Sequence, residues 1–294
     1  MSEEFRIVAV IGKYRSADTT GSVTRMAAFL RDQGLEAWIE AGTAQISGNE
    51  GGHRVASIDE IGEAADLVIV LGGDGSMLTA ARALGMHQLP LVGVNQGRLG
   101  FLTDVAHDEM FERVGEILEG RYLRERRSLL EVELWREGER LRSAAALNDI
   151  VLSRGEIGRM IEFELGVDGE YIYTQRSDGM IIATPTGSTA YALSANGPIL
   201  HPRLAGIVLV PLCPHALTYR PLALAQDSIV ELKVLGGRDA VVHCDGQTIF
   251  EVGAGDVLRV LRSEQGVTLL HPEGYSYFNV LREKLHWSAL PHLS

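Results

Sequence analysis

Cysteine is nearly absent from this chain. Its 294 residues include only Cys213 and Cys244, too few for a disulfide framework and without the paired spacing of a zinc site. A reducing, cytoplasmic setting suits such a sequence. Basic charge is scarce as well: 27 Lys and Arg against 39 Asp and Glu leave a formal net charge of −12. A nucleic-acid-binding surface needs a basic footprint, so no nucleic-acid partner is expected, although a few local arginines could still hold a small anion. No apolar run reaches the ~18 residues that cross a bilayer, so no membrane partner is expected either. The opening MSEEFRIVAVIG puts two acids ahead of its apolar run, the wrong charge for a secretory signal. The histidines form no HxxxH or HExxH pattern, and Cys213 and His215 lack partners, so no protein-built metal site is expected. The standard nucleotide loops are missing too. There is no GxxxxGK[ST] and no GxGxxG between a strand and a helix, and Gly93, Gly97 and Gly100 have the wrong spacing for the dinucleotide fingerprint.

What is present is a 46% hydrophobic chain, ample for a core. Its first part alternates strand-like and helix-like patterns, which predicts a parallel sheet with crossover helices. Strands are predicted at residues 5–12, 35–40, 67–71 and 89–94. Helices are predicted at 22–33, 58–65, 76–84 and 107–120, three of them ended by glycine, with a polar loop over 41–57. From about 129 the period changes to two. REGERL and VDGEY read as hairpin turns between alternating runs. The C-terminal SYFNVLREKLHW returns to helical spacing. The expected layout is a Rossmann-like α/β domain over 1–128, a β-rich, sandwich-like domain over 129–272, and a helical segment over 273–294 packing back on the first domain. The basic run at 121–127 reads as a solvated helix end or linker.

Three loops hold candidate chemistry. GGDGSML places Asp74 between glycines where a strand hands over to a helix. Ligands gather beyond the carboxyl ends of strands in open α/β sheets, and glycines allow close backbone approach. Asp74 reads either as the cap of the following helix or as a reactive carboxylate, with Ser76 available as an alternative cap. NQGRLGFLTD follows the next strand and should lie on the same sheet edge; Asn95 and Gly97 could shape a ligand site, whereas Phe101 and Leu102 read as core. TPTGSTAYALSANGP sets Thr184, Thr186, Ser188 and Thr189 within six residues, a density suited to a loop offering donors to a polar ligand. The Asn148–Asp149 pair is weak by itself, and CDGQ reads better as a β-turn.

In order along the chain, GGDGSML, NQGRLGFLTD, Asn148–Asp149, QRSDGMIIATPTGSTAYALSANGPI and HPEGYSYFNVLREKLHW resemble the bacterial NAD kinase family. GGDG is shared with lipid kinases and phosphofructokinases; TPTGSTAY together with NxGxLGFL is far more specific. The resemblance implies transfer of the γ-phosphoryl of ATP to the 2′-hydroxyl of the adenosine ribose of NAD+, giving NADP+. Asp74 matches the catalytic aspartate, as proton acceptor, with Gly75 letting the ligand approach beside it. Asn148 and Asp149 match contacts to the ribose and nicotinamide side. Thr189, Ala190, Tyr191, Ala192, Leu193 and Ser194 match the adenosine pocket, with Tyr191 as its aromatic wall. Asp178 and Gln247 match NAD contacts, and Arg159 and Arg176 stand where the family puts ligand-facing side chains. Arg176 resembles the ATP-using form. Mg2+ is implied as a cofactor held mainly through ATP, NADP(H) as product or inhibitor, and a homodimer or homotetramer as the assembly. A GGDG-type lipid kinase and a catalytically silent NAD(P)-binding sensor stand as the alternatives.

Overall fold

The computed structural model describes residues 5–12, 17–47, 49, 51–155, 160–216, 218–237 and 239–287. The chain divides into two units, Met1–Arg126 with Val267–Ser294, and Arg127–Gly266. Among the described residues no helix is long and apolar enough to cross a membrane.

The first unit is a parallel sheet built from β1 (Ile7–Gly12), β2 (Glu36–Glu40), β3 (Arg54–Ala56), β4 (Leu67–Gly72) and β5 (Pro90–Asn95). The last part of β17 (Val257–Pro272) adds a strand beside β5, so the order is β3-β2-β1-β4-β5-β17. Sequence order reverses between β1 and β4, the kind of switch point where α/β sheets bind ligands. The helices are α1 (Ala17–Asp32), α2 (Ala41–Ser47), α3 (Ile58–Ala64), α4 (Asp74–Leu84), α5 (Met110–Leu118) and, at the C-terminal end, α7 (Tyr277–Lys284). Val8, Val10, Leu67, Ile69, Leu71, Val92 and Val94 pack with Val23, Met26 and Leu30 of α1 and Val114 and Ile117 of α5. Near-continuous apolar strands are what a sheet covered on both faces requires.

Two expectations fail here. Residues 41–57 are not one loop: Glu40, buried, accepts N–H bonds from Gly42 and Thr43 at 2.7 Å and so starts α2, and β3 follows. Those unpaired first N–H groups need an acceptor, and a glutamate just upstream supplies it. The basic run at 121–127 is neither helix end nor linker but the start of a long strand, β6 (Tyr122–Arg136). Arg127 is buried and donates to Thr186 Oγ1 at 3.2 Å.

The second unit is antiparallel. One sheet runs β10 (Glu170–Ser177), β9 (Ile161–Val167), β14 (Val230–Gly236), β17, with β6 pairing β17 and β7 (Glu139–Ala146). The other runs β13 (Leu222–Ala225), β12 (Gly206–Leu212), β11 (Gly179–Ala183), β8 (Asp149–Ser153), β15 (Ala240–Cys244), β16 (Thr248–Val252). Side chains alternate between faces with period two. Ile150, Leu152, Met180, Ile182, Ile207 and Leu209 therefore enter a core shared with Val132, Phe163, Leu165, Leu232 and Leu258 of the first of these sheets. Val151, Ile181, Val208 and Val210 face the other way and pack under Ala192 of the short helix α6 (Tyr191–Ser194) and under Leu200. The expected hairpins are present, with left-handed Glu137–Gly138 and Asp168–Gly169 in their turns.

Gly93 marks the tightest approach near β5. A Cβ there would run into the carbonyl oxygen of Leu102 and lie 2.9 Å from Thr103 Cα. Gly93→Ala is expected to destabilise the protein by about 1–3 kcal/mol through overpacking. Gly97→Ala, where the added carbon meets nothing within 4 Å, should stay within about 0.5 kcal/mol of the parent. Urea denaturation of the two variants reads the difference.

Candidate active site

β4 and β5 are adjacent and parallel, with Gly72 opposite Asn95. The loops that leave their carboxyl ends must therefore meet. They meet at Asp74. Its Oδ2 accepts the N–H of Phe101 at 2.9 Å, and its Oδ1 accepts the N–H of Leu102 at 2.9 Å and the hydroxyl of Thr103 at 3.3 Å. The half-buried carboxylate is thus fixed in orientation by donors almost thirty positions further along the chain. Gly100 makes this possible, because a Cβ there would strike Asp74 Oδ1 and Thr103 Oγ1.

The capping expectation needs correction. α4 starts at Asp74, with extended Gly73 as its N-cap and no side-chain cap bond. Ser76 lies inside the first turn, its N–H bonded to the Gly73 carbonyl at 2.9 Å. A side chain already in helical geometry cannot act as the cap. Asp74 does not bond its own helix either; it clamps the neighbouring loop and keeps its charge at the positive end of the α4 dipole. Gly75 is exposed beside it.

The second group of candidates lies on the outward face of the six-stranded sheet. A pocket of about 410 Å3 is lined by Asn148, Asp149, Val151, Ser153, Ala190, Tyr191, His243, Asp245 and Gly246. The strand period explains the set: Asp149, Val151 and Ser153 alternate along β8, and His243 pairs with Val151 across β15. Asp245 was not singled out from the sequence. CDGQ is indeed a turn, with Asp245 and Gly246 left-handed. Its carboxylate also accepts the backbone N–H groups of Leu147 at 3.0 Å, Asn148 at 2.7 Å and Asp149 at 3.3 Å. Only the long-range partner gives the turn that second role, and no local pattern encodes it.

Asp149 and Asp245 are both buried, at 5% and 9% exposure. Burial, and then the nearby charge of Asp245, push the Asp149 carboxyl up to about 7. A carboxyl that keeps its proton up to nearly neutral pH can donate a hydrogen bond to a ligand, which an ordinary carboxylate cannot.

The other candidates are distributed as follows. Ala190 and Tyr191 line the pocket with Asn148 and Asp149. Thr189 donates to the Thr186 carbonyl at 3.1 Å. Ala192 of α6 is fully buried against the six-stranded sheet and Leu193 is half-buried. Ser194 and Tyr191 border a second cavity of about 580 Å3 with Cys213, Tyr219 and Arg220. Gln247 is exposed in the β15–β16 turn. Asp178 pairs with Arg154 at 3.0 Å, and Arg176, on β10, lies 3.8 Å from Glu162; neither lines the 410 Å3 pocket. Arg159 falls outside the described residues. The hydroxyl-rich loop departs from expectation. Thr184 donates to the Leu147 carbonyl at 2.5 Å and accepts the Gly187 N–H, while Ser188 donates to Pro185 and accepts the Leu200 N–H. These buried hydroxyls shape the loop and do not face a ligand, because backbone groups sealed from water need partners.

Two family models span most of the chain: the ATP-NAD kinase N-terminal domain over residues 8–122 and the ATP-NAD kinase C-terminal domain over 147–271. The chain belongs to the NAD kinase family. The NAD kinase of Aromatoleum aromaticum is 61% identical over 291 residues, covering 99% of this chain and 97% of that one. The NAD kinase of Azoarcus sp. is 59% identical, covering 99% of each. Among solved structures, yeast NADH kinase complexed with NADH matches with a TM-score of 0.91 at 25% identity, over 99% of this chain and 91% of that one. An Archaeoglobus fulgidus NAD kinase in complex with ATP matches at 0.74 with 26% identity, over 95% and 98%. The kinase thus has the family's two-domain architecture, an α/β domain with a parallel sheet and a β-rich domain.

The raised Asp149 carboxyl makes a pH prediction for the kinase. Its folded value, about 7, lies above the ordinary 3.8, so the folded state binds the proton more tightly. The associated stability is complete at acid pH and is lost as pH rises from about 4 to about 7, the reverse of a salt-bridged aspartate. Asp149→Asn removes this dependence. Relative to the parent, the variant's stability, read from melting curves at each pH, should climb between about pH 4 and pH 7, with a slope of at most ~1.4 kcal/mol per pH unit. Parallel melting curves across that range would refute it.

Proposed function

We propose that this kinase transfers the γ-phosphoryl group of ATP to the 2′-hydroxyl of the adenosine ribose of NAD+, giving ADP and NADP+, with Asp74 accepting the proton. The observation that carries the reading is the Asp74 carboxylate, oriented by two backbone N–H groups and a hydroxyl at the start of α4. The new bond joins the ribose 2′-oxygen to the γ-phosphorus. The bond from that phosphorus to the β–γ bridging oxygen breaks, its electron pair leaves with ADP, and the hydroxyl proton passes to Asp74. A carboxylate is a weak base for a sugar hydroxyl, but a loose phosphoryl transition state does not need early deprotonation. Alignment and charge neutralisation supply most of the acceleration. The first turn of α4, with Gly73 and Gly75 exposed, leaves room for a phosphate to approach the positive end of the helix dipole closely.

Asn148, Asp149, Ala190 and Tyr191 are read as NAD+ contacts, supported by the pocket they line together. Thr189, Ala192, Leu193, Ser194, Asp178, Arg176, Arg159 and Gln247 stay in the proposed site on the resemblance alone. Among the described residues no cluster of three or more His, Cys, Asp or Glu side chains is arranged to hold a metal ion. Mg2+ is therefore read as part of the substrate, carried on ATP phosphates. The resemblance also supports homo-oligomeric assembly, a cytoplasmic setting and inhibition by NADP(H).

The purified protein with NAD+, ATP and Mg2+ should form NADP+, detected with an NADP-specific dehydrogenase. Bound NAD+ without turnover would favour a silent sensor, and phosphorylation of a diacylglycerol would favour a lipid kinase. Asp74→Asn should lose roughly 10²- to 10⁴-fold in kcat while staying folded with a modestly lower Tm, because its single amide oxygen keeps one of the two loop N–H bonds and its amide nitrogen cannot accept the other. A variant with near-normal kcat and a much lower Tm would reduce Asp74 to a structural clamp.

A further inference from the structure

The residue after Thr103 is Asp104, and its partner is His271 near the end of β17. His271 is buried at 1% exposure, with Nδ1 3.1 Å from Asp104 Oδ2 and Nε2 3.4 Å from Glu125 Oε2. The Tyr275 ring stacks on the imidazole at 3.9 Å with the planes 9° apart. A carboxylate only accepts, so the nitrogen facing Asp104 carries a proton. The imidazole is therefore hydrogen-bonded at Nδ1 and covered on one face, with Glu125 near its Nε2.

What it holds in turn is the Asp74 clamp. The segment 96–104 is a closed excursion from β5. Its base is fixed where Val105 N–H donates to Gly93 and Asn95 N–H donates to Val105, at 3.1 and 2.9 Å. Asn95 Nδ2 adds a bond to the Val105 carbonyl at 3.1 Å, and Gly100 N–H closes on Thr103 at 3.1 Å. Asp104 stands between that base and the three residues that donate to Asp74. Its side chain ties the excursion to β17, the strand next to β5, with Leu269 opposite Leu91.

We infer that His271 is a positioning residue for phosphoryl transfer: through Asp104 it fixes the donors of residues 101–103 that aim the Asp74 carboxylate. The inference rests on the reading of Asp74 as proton acceptor. A purely stabilising ion pair is the competing account, and buried pairs contribute little net stability. Misplacement of a reacting group by a fraction of an ångström to 1 Å, in contrast, costs up to ~100-fold in rate.

Steady-state kinetics on three His271 variants separate the two accounts. His271→Ala should lose ~10- to ~100-fold in kcat with KM for NAD+ and ATP close to the parent. An asparagine amide nitrogen falls near the Nδ1 position, so His271→Asn should recover most of kcat. A glutamine nitrogen falls near Nε2, toward Glu125, so His271→Gln should not. Equal kcat for Asn and Gln, a loss confined to KM, or an alanine variant within about twofold of the parent would overturn the inference. Should the alanine variant fail to fold, the Asn and Gln pair still decides. Asp74→Asn with parental turnover would sink the proton-acceptor reading itself. An inactive Asp74→Asn beside a fully active His271→Ala would sink only the role of His271.

Discussion

The carboxylate of Asp74, gripped by the backbone of Phe101 and Leu102, is the interaction on which the first unit's functional edge depends. Charge-assisted bonds of this kind contribute roughly 1.5–3 kcal/mol each, and they add to the packing of the buried Leu102 and Thr103 in holding the loop. The grip follows from topology. Parallel β4 and β5 end together, so the loops that leave them share one edge of the sheet. Gly100 removes the side chain that would hold the second loop off Asp74, and Gly93 lets that loop fold back against β5. The carboxylate that anchors the loop is also the one read as the proton acceptor, so the bonds that hold the loop also aim the reacting group. An anchored carboxylate cannot swing away from its substrate.

The second unit treats its buried acids differently. Two buried acids, Asp149 and Asp245, border one pocket. Asp245 is served by three backbone N–H groups. Asp149 is not compensated to the same degree, and its carboxyl rises to about 7. Displaced titration in a concave site points to function more than to stability, since folding gains nothing from an unpaired buried acid.

Much of the fold was legible because its signals are local. Apolar runs, the glycines after helices, and the Glu137–Gly138 and Asp168–Gly169 turns each report on a few neighbouring residues. Failures fell where the deciding partner is distant or of an uncommon kind. Glu40 starts α2 although glutamate is a poor capping residue in general, and Arg127 is paid for inside the second unit by Thr186, fifty-nine positions on. The hydroxyl-rich loop was rightly read as irregular. Its Thr184 and Ser188 side chains nevertheless turn inward, because sealed carbonyl and amide groups of Leu147, Pro185, Gly187 and Leu200 need them.

By itself the sequence determined the two-part architecture, the position of Asp74 at a strand-to-helix junction, and the family, since periodicity and motif order survive without coordinates. Only the tertiary structure decided what Asp74 bonds, that Ser76 does not cap α4, that Asp245 shares a pocket with Asp149, and that His271 reaches Asp104. The physical reason is the same in each case. A hydrogen-bond acceptor is chemically open to any donor that folding brings within about 3 Å, and sequence spacing carries no record of which donor that will be.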